Sequence, residues 1–509
     1  MIKPYSIRKV NSSDFKLGLL FIVITSLIIL RSYFDPNGSL TVDSSHYLQL
    51  AQNLLDGKGF YRVDLLRPDG IDRILHWPYG YPVLIFIVAK ITTLSVYLSS
   101  KLLNIILIAS ILLLFRKLFK EKAYWFGFIL MFYSIIEIYT ETWSEGAFIV
   151  GLLWFCFSIY YYLYVKENLA SLINILLSGL FLFMIRYIGI FCFTVTGLLA
   201  NYYLYKRNYP SFLKFSIITL ILGGFTVSFS YFNHIITFGH SFEISTFIPP
   251  VPKLEIIKNL INAQIHELIF FRGTSFGNHI FQFLIILIEL GLVVFLIFKA
   301  IKKETSPKEN GLWRVFLLTG IMYWLILFLI IFSNPFEGFS NRLLGPSSFL
   351  LFLSFFTFLY AKKVQLVAKS KNIFFLLVIL FFIDWFPNKN FIYNKLLNKN
   401  ISNNYTELCY SNNLKNIKES VDTLPKNSLV AFAPIHLNYL RPDITSVDPL
   451  FKPYAKENET MDNFIDRINK LPIEHFYIMI NKDFDYHDYD ESVRNYIEQN
   501  KSNVLVKIK

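Results

Sequence analysis

The strongest constraint in this sequence is a succession of long apolar runs, near 17–34, 96–115, 123–140, 146–165, 169–185, 187–205, 212–232, 280–298, 315–332, 343–360 and 373–386. Most are about 17 to 21 residues long, the length at which an α-helix crosses a hydrocarbon core. A lone apolar segment in lipid must satisfy its own backbone hydrogen bonds, so helices are the economical reading. Composition agrees: 17% of residues are charged, where a soluble domain carries roughly a quarter. The expected fold is an all-α polytopic membrane protein with about 11 transmembrane helices. The first run lacks a small-residue cleavage site, so no cleaved signal peptide is expected. Cys156, Cys192 and Cys409 are too scattered for a disulfide framework or a zinc site.

A further run, 79–95, opens Tyr79-Gly80-Tyr81-Pro82 after Pro78. That is a poor start for a deep helix and a good one for an interfacial segment. Charge distribution decides its reading. If 79–95 does not cross and the N-terminus is cytoplasmic, the inside loops are 1–16, 115–123, 165–168, 205–214, 299–314 and 361–372. They hold 21 lysines and arginines, and the short outside connections hold only Arg186 and Arg342. A crossing at 79–95 would put most basic clusters on the wrong side. The net charge of +13 therefore reflects topology, not a nucleic-acid partner.

The outside segments are then the first loop, 35–95, a middle loop, 233–279, and the tail. Residues 1–386 read as a transmembrane domain and 387–509 as a soluble periplasmic or extracellular α/β domain. In the tail, 428–433, 475–480 and 504–508 read as strands, and 411–420, 461–470 and 490–500 as helices.

The first loop carries the clearest site signal. Asp43, Ser44 and Ser45 form a candidate helix N-cap cluster, followed by an apolar stripe at Tyr47, Leu48, Leu50, Ala51, Leu54 and Leu55 that ends at Gly57. This predicts a short helix lying on the outer membrane surface. Asp43 either caps that helix or serves as a general base at the lipid–water boundary. His76 and Tyr81 sit among aromatic and proline residues that ordinarily anchor at an interface, although His76 could also contact a phosphate or a sugar hydroxyl. Glu137, Glu141 and Glu145 are spaced four apart and would share one face of a continuous helix, either as a solvated end or near a cation or substrate. Glu289 falls within a span, where a carboxylate is functional, neutral or paired. Arg186 and Arg342 suit phosphate binding or snorkel at helix ends.

Asp43-x-x-x-Tyr47, Ala51, Leu54-Leu55, Gly57-Lys58-Gly59-Phe60 and Trp77-Pro78-x-Gly80-Tyr81-Pro82 together resemble the GT-C superfamily of glycosyltransferases. The similarity is to the branch with protein O-mannosyltransferases and the lipid A aminoarabinose transferase. Trp143-Ser144-Glu145-Gly146, Met184-Ile185-Arg186-Tyr187-Ile188-Gly189 and Asn341-Arg342-Leu343-Leu344-Gly345-Pro346 are similar to further segments of that family. The resemblance covers roughly residues 15–360. It implies an enzyme of the inner or plasma membrane that moves a sugar from a polyprenyl-phosphate donor to a hydroxyl on the outer face. The acceptor would be a glycan, lipid or protein. It also implies Asp43 as general base, Glu145 as a residue that positions acceptor or donor, and Arg186 and Arg342 near the lipid phosphate; Tyr47, His76, Tyr81 and Glu141 are further candidate substrate contacts. The superfamily admits a divalent cation, but Ser44 follows Asp43 where many relatives have a second acid, and no dedicated ligand cluster is visible. A transporter or lipid flippase, or a non-catalytic envelope scaffold, remain as alternatives. The transporter would show inverted repeats and several ionisable residues deep in spans.

Overall fold

The computed structural model describes residues 12–35, 38–63, 71–72, 78–236, 252–267, 279–301, 307–333, 339–362, 371–387, 421–431, 443–447, 460–480, 491–500 and 505–509, with the single residues 389, 392 and 441. His76, Trp77, Cys409 and the segment 411–420 lie outside the described residues.

The transmembrane part runs in order through α1 (Ser12–Phe34), α2 (Val42–Leu55), a two-strand ribbon of β1 (Arg62–Val63) and β2 (Ile71–Asp72), α3 (Gly80–Thr92), α4 (Val96–Phe119), α5 (Ala123–Gly127), α6 (Tyr133–Thr140), α7 (Glu145–Tyr160), α8 (Leu169–Ile185), α9 (Phe191–Tyr205), α10 (Tyr209–Ile236), α11 (Lys253–Glu267), α12 (His279–Ile301), α13 (Pro307–Ser333), α14 (Asn341–Ala361) and α15 (Lys371–Trp385). Among the described residues, seven segments are long and apolar enough to cross a membrane by length and composition. The remaining apolar helices include α3, α8 and the end of α15, which are shorter. At 13 residues, α3 falls well short of the roughly 20 needed to span, in keeping with an interfacial 79–95.

Two expectations change. The run 123–140 is not one helix. The chain reverses at Lys120, whose φ is 50°, and continues as α5, a 3₁₀ turn at Phe128–Met131 and α6, with Phe132 in extended conformation between them. The second change concerns α2, which does not lie open on a surface. Its polar side is enclosed too, with Ser44, Ser45, His46, Gln49 and Asn53 all buried. It packs on α3, α4 and β1, and the Asn53 side-chain amide donates to the Tyr61 carbonyl.

One apolar core joins α1 (Leu20, Ile24), α4 (Ile108, Ile111), α7 (Leu152, Phe155) and α14 (Leu344, Leu350). By contrast, α10 exposes Leu213, Leu220 and Val227, side chains suited to lipid rather than water. Cys156 and Cys192 are buried free thiols, in line with packing roles.

In the tail, β3 (Leu429–Ala431), β4 (Thr445–Val447), α16 (Met461–Asn469), β5 (Phe476–Met479), α17 (Glu491–Gln499) and β6 (Leu505–Lys507) form a small α/β unit. The sheet order is β4-β3-β5-β6, parallel between its first three strands and antiparallel at β6. The three strands read from the sequence are present; β4 is additional. Phe464, Ile468, Val493 and Ile497 cover the sheet residues Leu429, Ala431, Phe476 and Ile478, so this unit has a core of its own.

Candidate active site

Four residues that are distant in sequence meet at helix ends. Asp43 stands in the first turn of α2, Glu145 is the first residue of α7, Arg186 follows α8, and Arg342 is the second residue of α14. The Arg342 guanidinium donates from Nη2 to the Asp43 carboxylate and from Nε to the Glu145 carboxylate. Arg186 pairs through Nη1 with the same Glu145 oxygen. The Glu145 side chain is 0% exposed, against 15% for Arg186, 17% for Arg342 and 20% for Asp43. Glu145 is thus the sealed centre, and Asp43 the member most open to a ligand. A buried carboxylate is tolerable only with partners of this kind. The positive ends of α2, α7 and α14 converge here, adding to the favour for negative charge.

The sequence also arranges the supports. The cap of α2 is Thr41, not Asp43: its hydroxyl accepts from the Ser44 N–H at 3.4 Å. The Asp43 carboxylate accepts from Arg342 instead. The Trp143 indole N–H donates to Thr41 Oγ1 at 2.9 Å, while its ring lies 4.6 Å from the Arg342 guanidinium carbon. One side chain therefore links the cap of α2 to the arginine that holds Asp43. The Tyr47 hydroxyl is 3.1 Å from Ser144 Oγ, which also accepts from Arg186 at 3.4 Å. Burial, with Asp43 and Glu145 nearby, raises the Tyr47 phenol above its ordinary range. Tyr81 packs edge-on against Tyr47, ring centroids 5.2 Å apart, and is fully buried, so it supports Tyr47 from behind. Two glycines permit these approaches: a Cβ on Gly80 would meet Met184 O at 2.5 Å, and one on Gly189 would meet the Leu182 carbonyl carbon at 2.4 Å. Both close contacts seat the corner that carries Arg186.

The three glutamates do not share a helical face. The helix breaks at Glu141, and residues 141–144 form a turn before α7. Glu137 pairs with Arg31, whose guanidinium carbon lies 5.1 Å from the Trp385 ring centre. Glu141 joins that second network rather than the Asp43 cluster. Its Oε2 is buried without a hydrogen-bond partner among the described residues. Burial pushes its carboxyl up to about 7; the Lys101 ammonium opposes the shift, and Glu137 and Asp35 reinforce it.

Lys101 and Asn104 are structural supports of this region that the sequence did not single out. The Lys101 ammonium donates to Thr140 O at 2.6 Å and Ser39 O at 3.3 Å, tying the loop before α2 to the turn before α7. The Asn104 amide donates to Tyr139 O at 3.0 Å and Glu141 O at 2.9 Å. The available signal was a lysine and an asparagine inside the run 96–115, where polar groups are expensive.

Glu289 stands elsewhere, in a cavity of about 60 Å³ between α11, α12 and α14 lined by Gln264, Leu296, Ser348 and Phe355. Among the described residues no three His, Cys, Asp or Glu side chains converge to hold a metal. The carboxylates of the cluster face two guanidinium groups, a donor set that does not suit a divalent cation.

No protein-family model and no curated protein sequence matches the chain. Solved structures do. The apo ArnT of Cupriavidus metallidurans superposes with a TM-score of 0.53 at 11% identity, covering 92% of this chain and 94% of that one. ArnT bound to undecaprenyl phosphate gives 0.51 at 10% identity, over 91% and 92%. The archaeal oligosaccharyltransferase AglB of Archaeoglobus fulgidus, in complex with an inhibitory peptide and a dolichol-phosphate, gives 0.50 at 10% identity, over 91% and 69%. The likeness covers more than nine-tenths of this chain in each case, and it shows that this polytopic membrane protein shares the fold of those structures.

Proposed function

We propose that the chain is a membrane glycosyltransferase that moves a sugar from a polyprenyl-phosphate donor to an acceptor hydroxyl on the outer face of the membrane. The single observation that carries this reading is the cluster itself: one partly exposed carboxylate held beside two arginines at three converging helix N-termini. That is the set a phosphate-leaving transfer requires. The structural neighbours with bound undecaprenyl phosphate and dolichol-phosphate support the donor class.

In this mechanism Asp43 accepts the proton of the acceptor hydroxyl. The hydroxyl oxygen forms a bond to the anomeric carbon, and the bond from that carbon to the phosphate oxygen breaks. The electron pair leaves with polyprenyl phosphate, whose charge Arg186 and Arg342 stabilise. Attack from the side opposite the phosphate inverts the anomeric centre. Glu145 holds both arginines in place, and Tyr47 with Ser144 completes the polar wall. The tail 387–509 forms a separate outside domain, with the N-terminus cytoplasmic.

The test is release of polyprenyl phosphate by purified protein in lipid, on a panel of polyprenyl-phosphate sugars with acceptor extracts. Asp43→Asn should fold and lose about 10²–10⁴-fold in turnover. Undiminished transfer by that variant would rule out the base assignment.

A further inference from the structure

The pairing of Asp43 with Arg342 bears on the order of events at the site. Without ligand the cluster is self-neutralised, two carboxylates against two guanidinium groups. The Arg342 side chain is fixed on two sides, by Glu145 at Nε and by the Trp143 ring against its face. Glu145 is fully enclosed and shared with Arg186, so it is not an exchangeable partner. Asp43 is the exchangeable one: at 20% exposure it is not enclosed as Glu145 is, and it bonds Nη2, a different guanidinium nitrogen from the Nε that Glu145 holds. A phosphate oxygen is chemically equivalent to a carboxylate oxygen at such an edge, and guanidinium edges bind both. A carboxylate bonded to a guanidinium also has less of its lone-pair capacity available for an incoming hydroxyl proton.

We propose that the phosphate of the lipid donor and the Asp43 carboxylate compete for the Nη2 edge of Arg342, so that donor binding is what releases Asp43 toward the acceptor. This rests on the transferase reading above and adds to it an obligatory donor-first order. Arg342 does not travel in the exchange, because Glu145 and Trp143 hold it; only the partner at Nη2 changes. Asp43 has further interactions of its own, so it shifts within the site on release. An acceptor arriving first meets a base committed to Arg342. A lipid-linked sugar without a phosphate charge leaves it committed.

Competition has a signature that simple charge repulsion lacks. Undecaprenyl phosphate affinity is measured on the full chain in lipid nanodiscs for wild type, Asp43→Asn, Arg342→Gln and the double variant. Removing the competitor in Asp43→Asn should tighten binding about fivefold to thirtyfold. Arg342→Gln should weaken binding, and in that background Asp43→Asn should change affinity by less than about twofold. Equal tightening in both backgrounds would mean plain repulsion between Asp43 and phosphate, and would overturn the exchange. Absence of tightening in the wild-type background would overturn it as well. If Arg342→Gln does not fold, Arg342→Lys replaces it. One ammonium does not hold Glu145 and Asp43 through two separate nitrogens as the guanidinium does, so the tightening shrinks there, whereas repulsion would leave it whole. Failure of wild type to bind undecaprenyl phosphate would overturn the donor class itself; binding without coupling overturns only the exchange.

Discussion

Glu141 and Glu145 are four residues apart and end in opposite electrostatic conditions. Glu145 is sealed between two arginines that come from separate helices. Glu141 has a buried oxygen without a hydrogen-bond partner among the described residues, with Lys101 occupied by two backbone carbonyls nearby. Burial is common to both, and what separates them is how completely each is compensated. A buried carboxylate with partners holds a site together, and one with incomplete partners becomes sensitive to pH.

The sharpest way to break this contrast is Glu145→Gln. It leaves Arg186 and Arg342 facing each other without their shared anion, and removal of one partner from a buried pair costs about 3–5 kcal/mol. Thermal unfolding in a fixed detergent should show this loss at any pH between 6 and 9, and an unchanged transition would mean that the arginines find other partners. Glu141→Gln should behave differently. A folded-state pKa of about 7 lies above the ordinary carboxylate value. Wild-type stability from this group is therefore fully present below about pH 4.5 and lost as pH rises through about 7. The glutamine variant should match wild type near pH 4 and exceed it near pH 8, by at most about 3 kcal/mol. A gain that is the same at both pH values would remove Glu141 as the titrating group. The smallest effect belongs to Trp143→Phe, which keeps a ring over Arg342 and loses only the bond to Thr41, worth about 1 kcal/mol. Trp143→Ala should lose the ring contact as well, so equal effects from the two would argue against the stacking.

The same contrast shows what the sequence could disclose. The apolar runs located the helices long enough to span, and Arg186 and Arg342 stood out as isolated basic residues in short connections between apolar runs. Asp43 was legible from its place at a helix start. Its role as cap was also a fair local reading, and only the structure gives that task to Thr41. The break at Glu141 was not legible. Residues 137–145 contain no glycine or proline, and the helix ends because Asn104 and Lys101 take up the carbonyls of Tyr139, Thr140 and Glu141 from a neighbouring helix. Tertiary hydrogen bonds of that kind leave no periodicity to read. The burial of the polar side of α2 was hidden for a similar reason, since its cover comes from α3 and α4.

The sealing of Glu145 has a consequence for ionic strength. Dissolved ions screen charges they can approach, over a Debye length of about 8 Å in physiological salt. Ions do not reach a side chain with no exposure, so the bonds that organise the cluster should hold from dilute buffer to concentrated salt. The four side chains also sum to zero charge, and the partial positive charge of the three helix starts falls off within about one turn, so the cluster projects little field beyond its own dimensions. An anionic lipid headgroup diffusing in the membrane plane would feel almost no pull from it at a distance. On the transferase reading proposed above, recognition there is a matter of contact, and salt should alter the encounter far less than it does for proteins that steer their ligands electrostatically.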